Sequence, residues 1–412
     1  MNDVILVPLA STTHERNVNQ IYNKHRNLLK NVYSKSLPIL THETKIDQYS
    51  DLLNKANVIL ALACTGGTKK LIVHLAKFGT PLIILTHNTQ NSLASGIHGL
   101  TILRKRNYPA IIFHNVTQDN LPNLKKLVEV AMAIGSLKNK NILLLGITRE
   151  WLLSEGYDIN KLENMIRVRV ITLDLDDLIK VFESSKPDTS IIDKYNKYSE
   201  VETVKERLSS SSIVYSTVKD LLHKTNAISY GIRCFPFIIK TRVTPCIAVS
   251  HSIDEEIIAA CEADLGALIT MLLAHKVTKH PVFMGNIEDL DDNELILAHC
   301  TIATRFVDDL VLRSHFETRS SVSIAGKLKA GQEVTIVKIS NDFSRMLIMN
   351  GKISVGEPWS EDFCRTQFKI KVENLKKDVL LKNPVGSHLV LVKGTYITEF
   401  KILAEFLGMN VV

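Results

Sequence analysis

Apolar residues in the first third of the chain gather in short unbroken runs, Val4 to Leu9, Asn57 to Ala63, Pro81 to Thr86 and Ala110 to His114. Stretches with helical spacing separate them. Strand and helix in alternation predict βαβ units and a mostly parallel sheet. Between the second and third runs lies Thr65-Gly66-Gly67-Thr68, followed by a helix pattern through Lys77. A turn of this kind can offer backbone N–H groups to an anion at the helix N-terminus. Its spacing is neither GxGxxG nor a P-loop. A bare tight turn and a contact to a polar ligand both stay open.

Leu121 to Ser136 reads as a helix, Leu137 to Lys140 as a linker, and Asn141 to Ile147 as the first strand of a second α/β segment. Val168 to Leu173 and Cys246 to Ser250 read as further strands. Between them, Ser184 to Ser190 and Ser209 to Ser212 interrupt the periodicity and read as loops. Beyond Asp289 the pattern changes to closely spaced strands: Glu294 to Cys300, Ser321 to Leu328, Glu333 to Ile339, Met346 to Asn350, Phe368 to Val372 and Leu389 to Lys393. Turn signals at Lys329-Ala330-Gly331 and Asn350-Gly351 separate some of them, which predicts an antiparallel barrel or sandwich. A last amphipathic helix, Thr398 to Leu407, stops at Gly408, a natural residue just past a helix end. The fold class expected is α/β: two doubly wound parallel-sheet (Rossmann-like) domains, residues 1–137 and 138–253, followed by a mostly antiparallel β domain, 254–412.

Composition narrows the class of partner. The 412 residues are 45% hydrophobic and 23% charged, enough for a sizeable core. The net charge of +7 comes from interleaved signs, and the densest basic patch, Arg104-Lys105-Arg106, is too short to argue for nucleic acid. The longest apolar runs are too short to cross a bilayer, so no membrane partner is expected. The stretch MNDVILVPLA lacks the features of a signal peptide, and a cytoplasmic protein is expected. The six cysteines form no CxxC pair, which fits a reducing compartment and argues against a disulfide framework or a structural zinc site.

The stretch from Cys246 to Cys300 is the richest in candidate chemistry. Small residues, Ala259-Ala260-Cys261, lead to two acids, Glu262 and Asp264, and then to an apolar helical run, Leu265 to Ala274. Acids at the mouth of a buried helix cost free energy unless a cation or hydrogen-bond donors meet them. If a helix already ran from Ser252, capped by Ser252 and Glu255, residues two apart would sit ~200° apart and could not share a ligand. A chain that is extended or turning through Ala260 to Asp264, with the helix beginning near Leu265, lets both acids crowd one site, and the clean periodicity after Asp264 favours it. First-turn acids stabilised by the helix dipole are the plainer alternative. His388, in Gly386-Ser387-His388, and His299, in Leu297-Ala298-His299-Cys300, are either packing residues or ligands. Ser314-His315-Phe316-Glu317 adds a histidine and an acid in a loop. HExxH, EF-hand and GxSxG patterns are absent.

Taken in order, Gly231-Ile232-Arg233-Cys234-Phe235-Pro236, Thr244-Pro245-Cys246, Ala260-Cys261-Glu262-Ala263-Asp264, Leu297-Ala298-His299-Cys300, Cys364-Arg365-Thr366-Gln367 and Gly386-Ser387-His388 resemble the L-fucose isomerase-like branch of the L-fucose/L-arabinose isomerase family. The resemblance implies a homo-oligomer and an Mn²⁺-assisted (or other divalent metal) interconversion of an aldose and a ketose through an enediol. It makes a small-molecule sugar the partner. By that resemblance Asp264 and His388 match metal ligands, Glu262 is a neighbouring ligand, and Glu262 and Asp264 are the catalytic carboxylates. Thr65, Gly66, Gly67, His299, Arg365 and Thr366 are the implied substrate contacts. One position departs. Where related sequences read Cys-Trp-Pro-Glu, this chain reads Cys234-Phe235-Pro236-Phe237, and phenylalanine can neither bind a metal nor carry a proton. Either Glu262 or an acid of the Asp254 to Glu256 turn then takes the proton-transfer role, or the chain is a catalytically altered or inactive sugar-binding or assembly protein on the same fold.

Overall fold

The computed structural model describes residues 3–12 and 17–412. They form two compact units, one of residues up to 139 with 160–168 and 401–410, the other of 140–159, 169–400 and 411–412. The first unit carries a five-stranded parallel sheet in the order Lys35–Ser36, Val4–Leu9, Val58–Ala63, Leu82–Thr86, Ala110–His114. Every residue of Val4–Leu9, Val58–Ala63 and Leu82–Thr86 is buried, which is why these strands are unbroken apolar runs rather than alternating ones. The turn Thr65 to Thr68 is knitted internally. Ser11 N–H donates to Thr65 Oγ1 at 2.8 Å, and Thr68 Oγ1 donates to Thr65 C=O at 3.1 Å and meets Ser95 Oγ at 2.8 Å.

The second unit opens with a four-stranded parallel sheet ordered Ile258–Cys261, Ala227–Ile232, Asn141–Leu145, Arg169–Leu173. Two expectations fail around it. Cys246 to Ser250 is no strand but the start of a helix, Cys246–Asp254, buried along its whole length. A fully buried helix and a fully buried strand are both continuously apolar, so periodicity alone does not separate them. The serine run is likewise helical, inside Leu208–Thr225. There Ser212 Oγ donates to Ser209 C=O at 2.7 Å, so the hydroxyl is satisfied within the helix.

The same unit carries a three-stranded sheet of Ser323–Lys327, Asp309–Arg313 and Ser199–Glu200, and an antiparallel barrel. Its sheet runs Glu333–Ile339, His388–Lys393, Val282–Leu290, Glu294–His299, Thr366–Val372, Arg345–Val355, and pairing of Arg345–Val355 with Glu333–Ile339 closes it. Closure removes exposed strand edges. Asn350-Gly351, expected to be a turn, lies inside a strand, opposite Thr335 and Val334. Val282–Leu290 was not expected as a strand. The fold class is thus the one expected, with parallel-sheet α/β regions and an antiparallel β region. No helix among the described residues is long and apolar enough to cross a membrane.

One element joins parallel sheet to barrel. The helix Leu265–Thr278 is buried on nearly every side. It packs on Ile258–Cys261 and Ala227–Ile232, and also on Glu333–Ile339, His388–Lys393 and Val282–Leu290. Its N-terminus therefore sits where the two layers meet, with polar side chains of both within reach.

Candidate active site

The strand Ile258–Cys261 ends in two successive left-handed residues, Glu262 (φ 58°) and Ala263 (φ 51°). Non-glycine residues rarely adopt this conformation, and it persists only where surrounding contacts enforce it. The backbone thus turns between the acids, as the second sequence reading expected, and the helix begins at Leu265. Asp264 caps that helix, its Oδ1 accepting from Ala267 N–H at 2.7 Å.

Both Asp264 oxygens are fully engaged by the protein. Oδ1 also accepts from Tyr157 O–H at 3.2 Å, and Lys338 Nζ lies 3.2 Å from Oδ1 and 3.0 Å from Oδ2. His388 Nδ1 lies 2.9 Å from Oδ2. Burial alone would raise the pKa of Asp264, but the Lys338 charge and the His388 hydrogen bond outweigh it and hold the carboxyl far below the usual range. Burial, and then the Asp264 charge, push the Tyr157 phenol well up, so it stays a donor. Lys338 is wholly buried. Gly386 makes room for it: with φ at 134°, a Cβ there would meet Lys338 Cε at 2.7 Å.

His388, the first residue of its barrel strand, is fixed by this bond. A carboxylate partner makes Nδ1 the donor, which leaves Nε2 facing Glu262. There Nε2 lies 3.4 Å from Glu262 Oε1, within ion-pair range but without a hydrogen bond. Burial lowers the imidazole pKa, yet the hydrogen bond to Asp264 and the nearby Glu262 carboxylate prevail and raise it to about 9. Glu262 is shifted down, since His388 outweighs its partial burial. His299 completes the group. Its Nε2 lies 4.0 Å from Glu262 Oε1, its ring centroid lies 5.8 Å from that of His388, and burial followed by the His388 charge lowers its pKa to about 4.

One ligand atom each from Glu262, His299 and His388 lies within 4.8 Å of the others. His299 Nδ1, His299 Nε2 and His388 Nε2 are buried without any hydrogen-bond partner. Native structures seldom leave buried polar atoms so, and the Nε2 atoms of His299 and His388 beside the Glu262 carboxylate fit a bound divalent cation. A carboxylate behind a ligating histidine is also the usual outer support of metal sites, and Asp264 stands in that position. Asp264 engages His388 Nδ1, and Glu262 and His299 stand beside His388 Nε2.

The other predicted positions fall elsewhere. Phe237 is wholly buried on the helix Cys234–Thr241, edge-on to Phe182 at 5.2 Å. Cys234 and Phe235 of that helix face a small cavity beside Glu262, and Phe237 does not. Asp254 binds Lys194 and Thr304, each at 2.7 Å, and Glu256 pairs with Arg305 at 3.6 Å. Neither lines the cavity. Arg365 Nε donates to Ser314 C=O at 2.8 Å, and Nη1 donates to Glu361 at 2.9 Å. It thereby secures the loop that carries His315 and Glu317. Thr366 Oγ1 donates to Ile324 C=O at 2.9 Å and accepts from Gly326 N–H at 3.0 Å, a clasp between strands. Thr65, Gly66 and Gly67 belong to the first unit, in the knitted turn described above. Lys338 and Tyr157 were missed entirely. A lysine inside the apolar strand Glu333–Ile339 was the one available signal.

The chain is similar to a sulfoquinovose isomerase from Alkalicoccus urumqiensis, 22% identical over 348 residues, with 78% of this chain and 76% of that protein covered. No protein-family model matches it.

Proposed function

We propose that the chain is a divalent-metal-assisted aldose–ketose isomerase acting on a sugar or sugar derivative. The observation that carries the reading is the convergence of Glu262, His299 and His388, with unpartnered ring nitrogens, on one point. The likeness to a sulfoquinovose isomerase supports sugar isomerisation and makes sulfoquinovose the first substrate to test. Glu262, His299 and His388 would hold the cation, and Mn²⁺ suits a carboxylate with two imidazoles. When bound, such an ion would supply a Lewis acid that polarises the sugar carbonyl. Glu262 is ionised at neutral pH and about a third of its side chain is exposed (34%), so it can meet a substrate from solvent. It serves as the base that moves a proton between C1 and C2 through an enediol. Asp264 keeps Nδ1–H of His388 bonded and Nε2 aimed at the site, and Lys338 keeps Asp264 charged. A homo-oligomer, heavier in sedimentation than the 46.2 kDa chain, is part of the same reading.

A second reading has one observation in its favour. Phe237 packs in the core at the position where related sequences carry a glutamate, and a sugar-binding protein without turnover needs no carboxylate there. Incubation of the protein with sulfoquinovose and Mn²⁺, followed by NMR for the ketose, separates the two. Ketose formation abolished by Glu262→Gln supports the isomerase. Saturable sugar binding without ketose supports the other.

A further inference from the structure

Five of the six cysteines, all free, surround the small cavity beside Glu262. The group that matters is Cys300, Cys364, His315 and Glu317. One ligand atom each from Cys300, His315 and Glu317 lies within 4.8 Å of the others. Cys364 packs with Cys300 in one buried cluster and borders the same cavity. His315 Nδ1 lies 3.5 Å from Glu317 Oε2. Arg365, itself buried, pins Ser314 and so the start of the loop, while Phe235 stacks edge-on to His315 at 5.7 Å. The four side chains come from three separate segments and are held before any ligand arrives. The cavity they border has room for about one water-sized sphere, about 10 Å³. That fits an ion and is too small for a sugar.

We propose that Cys300, Cys364, His315 and Glu317 form a second metal site, specific for a soft divalent cation of the Zn²⁺ type. Two sulfurs, an imidazole and a carboxylate make the four-coordinate set that Zn²⁺ favours, whereas the oxygen and nitrogen donors of the first site suit Mn²⁺. Sequence spacing hid it, because the ligands are scattered over 65 positions between Cys300 and Cys364. The packing of thiols as small hydrophobes accounts for Cys246, which joins the apolar cluster of Ala298, Cys300 and Cys364. It does not account for a histidine and a glutamate converging on the Cys300 sulfur. His299 and Cys300 are chain neighbours, so one backbone segment contributes to both sites. The inference does not depend on the isomerase reading.

The test uses the full chain stripped of metal and titrated with Co²⁺, whose bonds to thiolate give a sulfur-to-metal charge-transfer absorption. The wild type should show that band. Cys364→Ser should lose at least half of it, and Cys300→Ser should lose nearly all. His388→Gln, which touches only the first site, and Cys64→Ser, in the other unit, should keep it. Total metal bound per chain should fall by one ion in Cys300→Ser. No charge-transfer band in the folded wild type overturns the proposal, as does a band lost in His388→Gln but kept in Cys300→Ser. Should a cysteine variant fail to fold, Zn²⁺ protection of Cys300 and Cys364 from alkylation in the wild type decides. At least tenfold slower labelling supports the site, and unchanged labelling overturns it.

Discussion

His388 Nδ1 lies 2.9 Å from Asp264 Oδ2, and this one bond ties the first strand residue on the barrel rim to the N-cap of the central helix. It fixes which imidazole nitrogen faces Glu262. It also links the site's chemistry to the stability of the second unit, because Asp264 caps the helix with the same carboxylate.

Asp264→Asn should therefore weaken metal binding without removing a donor that faces the cation. Loss of such outer support typically costs about 10–100-fold in affinity. Mn²⁺ titration followed by thermal shift checks this, and an Asp264→Asn protein with wild-type affinity contradicts the supporting role.

Lys338 should be worth more to the folded state than any surface lysine. It is wholly buried against Asp264 at 3.0 Å. Removing one partner of a buried pair strands the other charge and costs about 3–5 kcal/mol. Lys338→Met should lower stability by that amount in urea denaturation. Lys338→Met combined with Asp264→Asn should recover much of it, since no unpaired buried charge remains.

The pH dependence of the metal-free protein follows from the same residues. The folded pKa of His388 is raised to about 9. Its contribution is fully present below the unfolded value of about 6.5 and disappears as pH rises through about 9. At 1.36 kcal/mol per pH unit the effect is on the order of 3 kcal/mol. Asp264 is shifted the other way, so its contribution is present above an unfolded pKa of about 3.9 and is lost on acidification. His299, lowered to about 4, contributes stability that is present above its unfolded value of about 6.5 and lost on acidification toward pH 4, so stability in EDTA should be greatest near pH 6.5 and decline toward pH 9. The alkaline decline should be flattened in His388→Gln. An equal decline in both proteins assigns it to another group.

Gly386→Ala should disturb the site from a distance. The added methyl meets the Lys338 stem at 2.7 Å, and the left-handed backbone there already disfavours a side chain. A cost of roughly 1–3 kcal/mol is expected from overpacking a filled core, with weaker Mn²⁺ binding alongside it. Unchanged stability would mean that Lys338 moves freely.

The fold was legible where burial and secondary structure leave a clear mark. Val4–Leu9 and Val58–Ala63 are apolar and buried throughout, and Glu333–Ile339 follows the turn residues Lys329 to Gly331. Cys246–Asp254 misled because a buried helix carries no polar face to show its period. Asn350-Gly351 misled because local turn preference gives way to strand pairing across a closed barrel. In the site, Glu262, Asp264, His299 and His388 were all nameable from sequence, and the structure brings them together. Their division of labour was not. It depends on Lys338, 74 residues from Asp264 in sequence, which engages Asp264 and leaves Glu262 beside the histidines.

Enediol chemistry at Glu262 leaves a direct trace in solvent isotope exchange. The protein is incubated in deuterated water with excess Mn²⁺ and a panel of aldoses and ketoses, phosphorylated and sulfonated ones included. Deuterium at C1 or C2 is then read by NMR. The account predicts incorporation with at least one sugar, even where net turnover is small, and a fall of ~10²–10⁴-fold in Glu262→Gln, as expected for loss of a general base. Glu255→Gln, outside the cavity, should exchange like the wild type. Measurable sugar binding with no deuterium incorporated from any sugar would contradict it.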